Sequence, residues 1–300
     1  MGDYWSQYWR QGHLTSFSQD IKENYKGGLF NVWRDFFAGC NKGDHVLDVG
    51  TGNGALIDIA LKTAPQVLLT GIDSAELTLT ESLKKSSNVN VYSRQNAENM
   101  VFEANTFDSV ISQFGIEYAD MPKALSELAR VLKIAGRFQL VLHDMTSSIV
   151  QPNSSILSAA KELSKPKGVL ECLKEMLQIL SKEGKQSKVA EASRTLLNTE
   201  IKRIADINEV GLAGSNFPNF LRHCMSPRLD AQQKLDSIDL FQSELLGQIE
   251  RLTDLLNAAL TVEKYVLYKD LLYDLGLNIK NDYLLTENDQ VVARVINGYK

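Results

Sequence analysis

Gly50, Gly52 and Gly54 alternate with Thr51 and Asn53 directly after the apolar run Val46-Leu47-Asp48-Val49. Removing side chains at alternate positions lets a backbone bend sharply and approach a ligand without Cβ clashes. Leu56, Ile57, Ile59, Ala60 and Leu61 then recur at helical spacing, so the stretch reads as strand, glycine turn and helix start. Such a turn sets unpaired helix N–H groups at the C-terminal end of a parallel sheet, where nucleotide-like ligands bind. One strand–loop–helix–strand unit further on stands Asp73, at the end of Val67-Leu68-Leu69-Thr70-Gly71-Ile72. An acid there can accept hydrogen bonds from both ribose hydroxyls, which fits an adenosine-containing ligand. The pattern is Gly50-x-Gly52-x-Gly54, with Ala55 where the dinucleotide fingerprint allows its last small residue, so a nicotinamide cofactor stays open. No Lys-Ser/Thr follows the loop, which argues against a P-loop.

The elements that must hold these residues follow from periodicity. A helix over 21–39 presents Leu29, Phe30, Trp33, Phe36 and Phe37, and the Asn41–Asp44 turn stops it. After the glycine loop a helix runs to about Thr63. Helices are expected over Ala75–Lys85 and Met121–Leu132, and strands over Val89–Tyr92, Phe107–Phe114 and Arg137–His143. Alternating strands and helices predict an α/β fold with a parallel sheet covered on both faces. From about Ser147 to Leu260 the pattern is helical, with amphipathic runs through Val169–Leu180, Val189–Ile204 and Ile238–Leu256. Gly211–Pro227 reads as a loop or short helix. Val262–Leu275 is a helix. Asn278–Leu285 and Val291–Ile296 form a hairpin around Thr286-Glu287-Asn288-Asp289, which makes one strand antiparallel to the rest. The domains are therefore an N-terminal helical arm over 1–40, a core from 41–146 and 261–300, and a helical insertion over 147–260. The arm carries Tyr4, Trp5, Tyr8, Trp9 and Phe17, either as core packing or as an aromatic lid.

The whole chain bounds the reading. Its 300 residues are 44% hydrophobic and 23% charged, the composition of a globular protein of one large or two modest domains. A net charge of −5 without a basic run argues against a nucleic-acid partner. Cys40, Cys172 and Cys224 lack metal-ligand spacing and read as buried thiols in a reducing compartment; no metal is expected. The polar, aromatic N-terminus is no secretory signal, and no apolar run approaches the ~20 residues that span a bilayer. The expectation is a cytoplasmic protein without a membrane partner.

Taken together, Val46–Gly54, Gly71-Ile72-Asp73, Asn96-Ala97-Glu98, Phe107-Asp108-Ser109-Val110, Ser112-Gln113-Phe114 and Leu132–Arg137 resemble the class I S-adenosylmethionine-dependent methyltransferases. The resemblance covers residues 40–145 and the closing helix and hairpin, not the insertion. It implies a Rossmann-like, seven-stranded, mostly parallel sheet with an antiparallel C-terminal hairpin strand. The cofactor would be S-adenosyl-L-methionine, leaving S-adenosyl-L-homocysteine. Gly50, Thr51, Gly52, Asn53 and Gly54 would bring backbone to its methionine part, and Asp48 would lie near its amino group. Asp73 and Ser74 would meet the ribose; Asn96, Ala97 and Glu98 would flank the adenine. Gln113 and Phe114 would line the cleft beside the methyl group.

A sulfonium methyl is already electrophilic, so in-line alignment supplies much of the rate. A general base is needed only where the acceptor must lose a proton. His143, which ends the fifth strand, and Glu117 and Tyr118, after the fourth, are the candidates expected to face the cleft; His13 and His223 are weaker ones. The place of an Asn-Pro-Pro-Tyr tetrad holds Ser112-Gln113-Phe114-Gly115, and no Pro-Cys pair exists. With the negative charge, this favours a small-molecule acceptor over nucleic acid. The insertion would cap the substrate, pair subunits into a homodimer, or do both. The rivals are an NAD-dependent oxidoreductase and a cofactor-binding module without turnover.

Overall fold

β1 (His45–Val49) lies inside the sheet, and its last four residues are buried. Val46, Leu47 and Val49 are the apolar residues that a strand covered on both faces requires, and Asp48 is the one polar residue among them. Parallel partners flank it, β2 (Leu68–Asp73) on one side and β4 (Phe107–Gln113) on the other. The full order is β3-β2-β1-β4-β5-β7-β6, with β3 (Val89–Ser93) at one edge and β6 (Asn278–Glu287) at the other. β5 (Leu132–Leu142) runs parallel to β4, and β7 (Gln290–Tyr299) runs antiparallel to both β5 and β6. Seven strands with one reversed match the expected sheet. The order reverses between β1 and β4, so the crevice at their C-terminal ends is the natural ligand site. The computed structural model describes residues 4–15, 23–184 and 186–300; Phe17 and the start of the helix expected over 21–39 lie outside the described residues.

Alternating side chains of the strands feed two apolar layers. Val46, Ile111, Val141 and Val295 face α2 (Gly27–Ala38) and α3 (Ala55–Thr63), where Leu29, Trp33, Phe37 and Leu56 meet them. Leu47, Val110, Phe138 and Leu140 face α5 (Met121–Val131) and α11 (Val262–Asp274). Leu29, Trp33, Phe36 and Phe37 recur at i, i+4, i+7 and i+8, one stripe of a helix. The Glu287 carboxylate accepts from the Gly28 N–H and so caps α2 from the hairpin.

Three elements differ from expectation for physical reasons. Of the helix expected over Ala75–Lys85, the structure forms α4 (Glu81–Lys85) alone. The amides of Ala75, Glu76, Leu77 and Thr78 are held by the side chains of Asp73, Ser6, Ser93 and Asn53. These contacts tie the segment to other elements, and the helix starts only where Thr80 Oγ1 accepts from Leu83 N. β5 begins at Leu132, where α5 ends, and carries a register shift opposite Phe107 and Ser109 with Ala135 in the left-handed region (φ +62°). The hairpin turn contracts to Asn288 and Asp289, both left-handed (φ 48° and 61°), the two-residue turn whose twist matches paired strands.

The chain divides into two compact units, Met1–Ile149 with Asn257–Lys300, and Val150–Leu256. Residues 147–149 and 257–260, assigned to the insertion by the change in sequence character, belong to the sheet unit. Ser148 N donates to Val291 O, and Leu260 N donates to His143 O beside a parallel bridge between Asp144 and Leu260. The second unit contains α6 (Val150–Leu163), α7 (Val169–Glu183), α8 (Lys188–Gly214), α9 (Phe217–Cys224) and α10 (Ala231–Ala258). Its own core joins Leu163, Leu173, Met176 and Ile204 to Phe217, Phe220 and Phe241, the last two stacked at 4.0 Å. α8 kinks at Asn208, whose amide donates to Ser155 O. The stretch expected as a loop or short helix is the end of α8 followed by α9.

Candidate functional site

β1 delivers the chain to a turn that the neighbouring strand holds. Gly50 N and Thr51 N both donate to Ile72 O of β2, at 2.9 and 3.0 Å. Thr51 Oγ1 donates to Asp48 Oδ2 (2.6 Å). The turn also presses against the loop after β4: a Cβ on Gly50 would lie 2.6 Å from Gly115 Cα, and one on Gly115 would lie 2.8 Å from Val49 O. The two loops close on each other because both positions lack side chains. Ser112 Oγ fastens the same junction, donating to Val49 O and accepting from Ile116 N.

Asp73 ends β2 with each carboxylate oxygen accepting one backbone N–H, Oδ1 from Ala75 and Oδ2 from Gly52, both at 2.9 Å. Each oxygen keeps a further lone pair for a ligand hydroxyl. Enclosure raises the pKa of this carboxyl, against the pull of those two N–H groups. Asp48 is 2% exposed, and its burial pushes it up to about 7; the Thr51 hydroxyl opposes the shift and the Asp73 charge adds to it.

A cavity of about 310 Å³ opens over these loops. Of the residues singled out in the sequence, Asp48, Gly50, Thr51, Gly52, Asp73 and Ser74 line it, as do Asn96, Ala97, Glu98, Gln113, Phe114 and Tyr118. The ends of four strands thus converge on one cleft. Asn53, Gly54, Glu117 and His143 do not line it. Asn53 is 1% exposed and donates to Trp9 O and His13 O. Gly54 faces Leu83, which a Cβ would meet at 2.7 Å. His143 is 2% exposed; its Nδ1 pairs with Glu117 Oε1 at 2.9 Å and its backbone N–H donates to the same oxygen. The expectation that both candidate bases face the cleft is corrected: the pair lies behind it, with the His143 ring 4.1 Å from that of Phe114 and edge-on to Tyr118 at 5.9 Å. His45, before β1, bonds Thr70.

The structure also adds wall residues that the sequence reading left undecided or missed. Trp5 and Trp9 of α1 (Tyr4–Arg10), with Leu14, Thr15 and Tyr25, line the same cavity. Trp5 sets its ring edge-on to Tyr118 at 5.6 Å. Gln113 is 7% exposed, its Oε1 accepting from the indole N–H of buried Trp33, while its Nε2 has no hydrogen-bond partner among the described residues. Nothing in the sequence ties Trp33 to Gln113; Gly115, next to Phe114, was a visible signal that went unused. Phe114 itself sits in the left-handed region (φ +53°), held by its N–H to Val141 O.

The lining carries three carboxylates, Asp48, Asp73 and Glu98, and no cationic side chain among the described residues. Such a wall suits a ligand that is itself cationic and bears vicinal hydroxyls, as S-adenosylmethionine is. No group of three or more potential metal ligands occurs among the described residues.

Comparison with known proteins agrees with this donor set. Residues 47–140 match the family described as methyltransferase domain. The chain is 33% identical over 151 residues to the ubiquinone/menaquinone biosynthesis C-methyltransferase UbiE of Rickettsia felis, covering 43% of this chain and 60% of that protein. It is 34% identical over 140 residues to UbiE of Haemophilus ducreyi, covering 43% of this chain and 53% of the relative. The chain thus spans little more than half the length of these relatives. Among solved structures, the 1,6-didemethyltoxoflavin-N1-methyltransferase of Burkholderia thailandensis, bound to S-adenosylhomocysteine, is 10% identical over 90% of this chain and 77% of its own, with a TM-score of 0.44. The residues that match the methyltransferase domain all lie in the sheet unit.

Proposed function

We propose that this chain transfers a methyl group from S-adenosylmethionine to a small, uncharged, ring-bearing acceptor. The observation that carries the reading is the single cleft that unites Asp48, the glycine loop, Asp73, Asn96–Glu98 and Gln113–Phe114. When bound, the cofactor supplies a methyl group that is electrophilic without further activation. The residues of the chain then have to bind, orient and exclude water. Asp73 accepts from the ribose hydroxyls, and Ala97 with its neighbours flanks the adenine. Asp48 stands by the ammonium end under the glycine loop. The rings of Trp5, Phe114 and Tyr118 offer flat apolar faces to an acceptor and keep water from the reacting centre. Three carboxylates in the wall disfavour an anionic acceptor. The UbiE relatives are named for quinone biosynthesis, which places phenols and quinols first among compounds to test.

Tyr118 is the candidate proton acceptor that lines the cleft, and the His143–Glu117 pair supports Phe114 and Tyr118 from behind. Within the same reading, the helical unit selects the acceptor. Its junctions leave the sheet just past the C-terminal end of β5, the end at which the cleft opens. Self-association would use its exposed apolar residues, such as Leu240 and Leu246 on α10. No helix among the described residues is long and apolar enough to cross a membrane, and the buried free thiols of Cys40, Cys172 and Cys224 fit a reducing cytoplasm.

Calorimetry with S-adenosylmethionine, S-adenosylhomocysteine and NAD, followed by a methyl-transfer assay on a panel of phenols and quinols, tests the reading. Binding of the first two and turnover on a ring-bearing acceptor is the expected result. Binding of NAD alone would overturn it. Cofactor binding with no turnover on any class of acceptor would favour the module without catalysis, to which one observation also points: His143 and Glu117 are engaged with each other.

A further inference from the structure

The turn between Gly52 and Gly54 holds a residue whose hydrogen bonds all run away from the cleft. Asn53 Nδ2 donates to Trp9 O (2.9 Å) and to His13 O (2.8 Å), and Asn53 Oδ1 accepts from Thr78 N (2.7 Å). Both amide protons therefore go to the N-terminal arm. The Thr78 N–H fixes which side of the amide is oxygen. At 1% exposure the group is sealed, so leaving either donor unpaired would carry the full desolvation penalty.

The arm that Asn53 holds forms part of the cavity. Trp9 lies so close over Gly52 that a Cβ there would fall 2.7 Å from two of its ring atoms. Trp5 and Trp9 line the cleft, and Trp5 meets Tyr118. Glu76 N donates to Ser6 Oγ, and Tyr8 and Trp9 pack on Ala75. With seven residues, α1 is too short to be a stable helix without such partners.

We infer that Asn53 is a positioning residue that latches the N-terminal arm over the glycine loop, so that the arm, rather than the loop alone, sets how long the cofactor stays bound. This rests on the reading of the cleft as a cofactor site. A ligand beneath Trp5 and Trp9 leaves when the arm lifts, and lifting the arm breaks the two donations from Asn53 together. The latch is closed without ligand, so it slows entry as well as release. Asn53 therefore affects the cofactor through the arm and without touching it.

The test is stopped-flow release of S-adenosylhomocysteine, read by tryptophan emission, with hydrogen exchange of the arm amides in parallel. Asn53→Asp keeps the acceptor for Thr78 N and loses both donations; Asn53→Ala controls for the added charge. Release should quicken about tenfold in both variants, the effect of losing two neutral hydrogen bonds, and association should quicken with it, because entry needs the same lifting of the arm. Arm protection should fall in both. Trp9→Leu should quicken release in the wild type and add less than about twofold in Asn53→Asp, because residues acting through one element are not additive. Unchanged release with a freed arm, or multiplying effects of Asn53→Asp and Trp9→Leu, would overturn the inference. Wild-type protein that binds no S-adenosylhomocysteine would overturn the cofactor reading and the residence claim with it; arm exchange in Asn53→Asp would still decide whether Asn53 is the anchor.

Discussion

Asp48 is a carboxyl group sealed under the glycine loop, its pKa moved from 3.8 to about 7. A carboxyl raised on folding makes the folded state bind more protons than the unfolded one between these values. Its contribution is therefore most favourable below about pH 4 and is lost as pH rises toward 7 and beyond. The ligand-free protein should be more stable at pH 5 than at pH 8, by roughly 2–3 kcal/mol from this group, and Asp48→Asn should flatten that slope in thermal melts. A cationic ligand favours the ionised carboxylate, so S-adenosylmethionine should bind more tightly at pH 8 than at pH 6 and release protons on binding at pH 6. Calorimetry in buffers of different ionisation enthalpy reads both. Asp73→Ala should weaken S-adenosylhomocysteine binding by about 1–3 kcal/mol, the worth of charge-assisted hydrogen bonds; unchanged affinity in a calorimetric titration would refute its ribose role. These two acids were legible in the sequence because Asp48 stands two residues before Gly50 and Asp73 ends a strand two residues after Gly71. The Trp33–Gln113 bond and the three contacts of Asn53 were not, because each joins segments far apart in the chain and no local period records such a meeting.

Among the elements, the junction of the loops after β1 and β4 is the tightest backbone approach at the cleft. Gly115→Ala would push a methyl group into Val49 O and Gly50 Cα. It should cost about 1–3 kcal/mol of stability, as overpacking does, and weaken cofactor binding with it; urea titration and calorimetry measure the two losses. The strands, α2, α3, α5, α11 and the hairpin were legible because burial imposes periods of 2 or 3.6 on their sequences. The Ala75–Thr80 segment was not. Its local pattern favours a helix, but the side chains of Ser6, Asn53 and Ser93, with that of Asp73 just before it, tie its amides to other elements. His143 and Glu117 follow strands that point at the cleft, yet their attraction for each other turns both inward. Position along a strand shows which end of the sheet a residue reaches, and pairing decides where its side chain goes.

Over the whole molecule, the two units have separate apolar cores, and all three tryptophans belong to the sheet unit. Phe241→Ala removes a ring stacked on Phe220 in the helical unit and should destabilise that unit by about 3–5 kcal/mol. Far-ultraviolet circular dichroism should then melt in two steps while tryptophan emission keeps the wild-type midpoint; coincident transitions would show that the units unfold together. The placement of the helical unit within the sequence has a further consequence, in synthesis. β7 covers β5 from Arg137 to Leu142, and it follows β5 only after the whole helical unit has been translated. At about 5–20 residues per second, roughly a hundred residues take about 5–20 s to emerge. Throughout that interval a nascent chain carries four strands of its parallel sheet beside a fifth with an open edge, and such edges recruit strands from other chains. The length of the insertion therefore adds to a window of aggregation risk on the ribosome, and a short linker in its place would leave only the few seconds that α11 and β6 take to emerge.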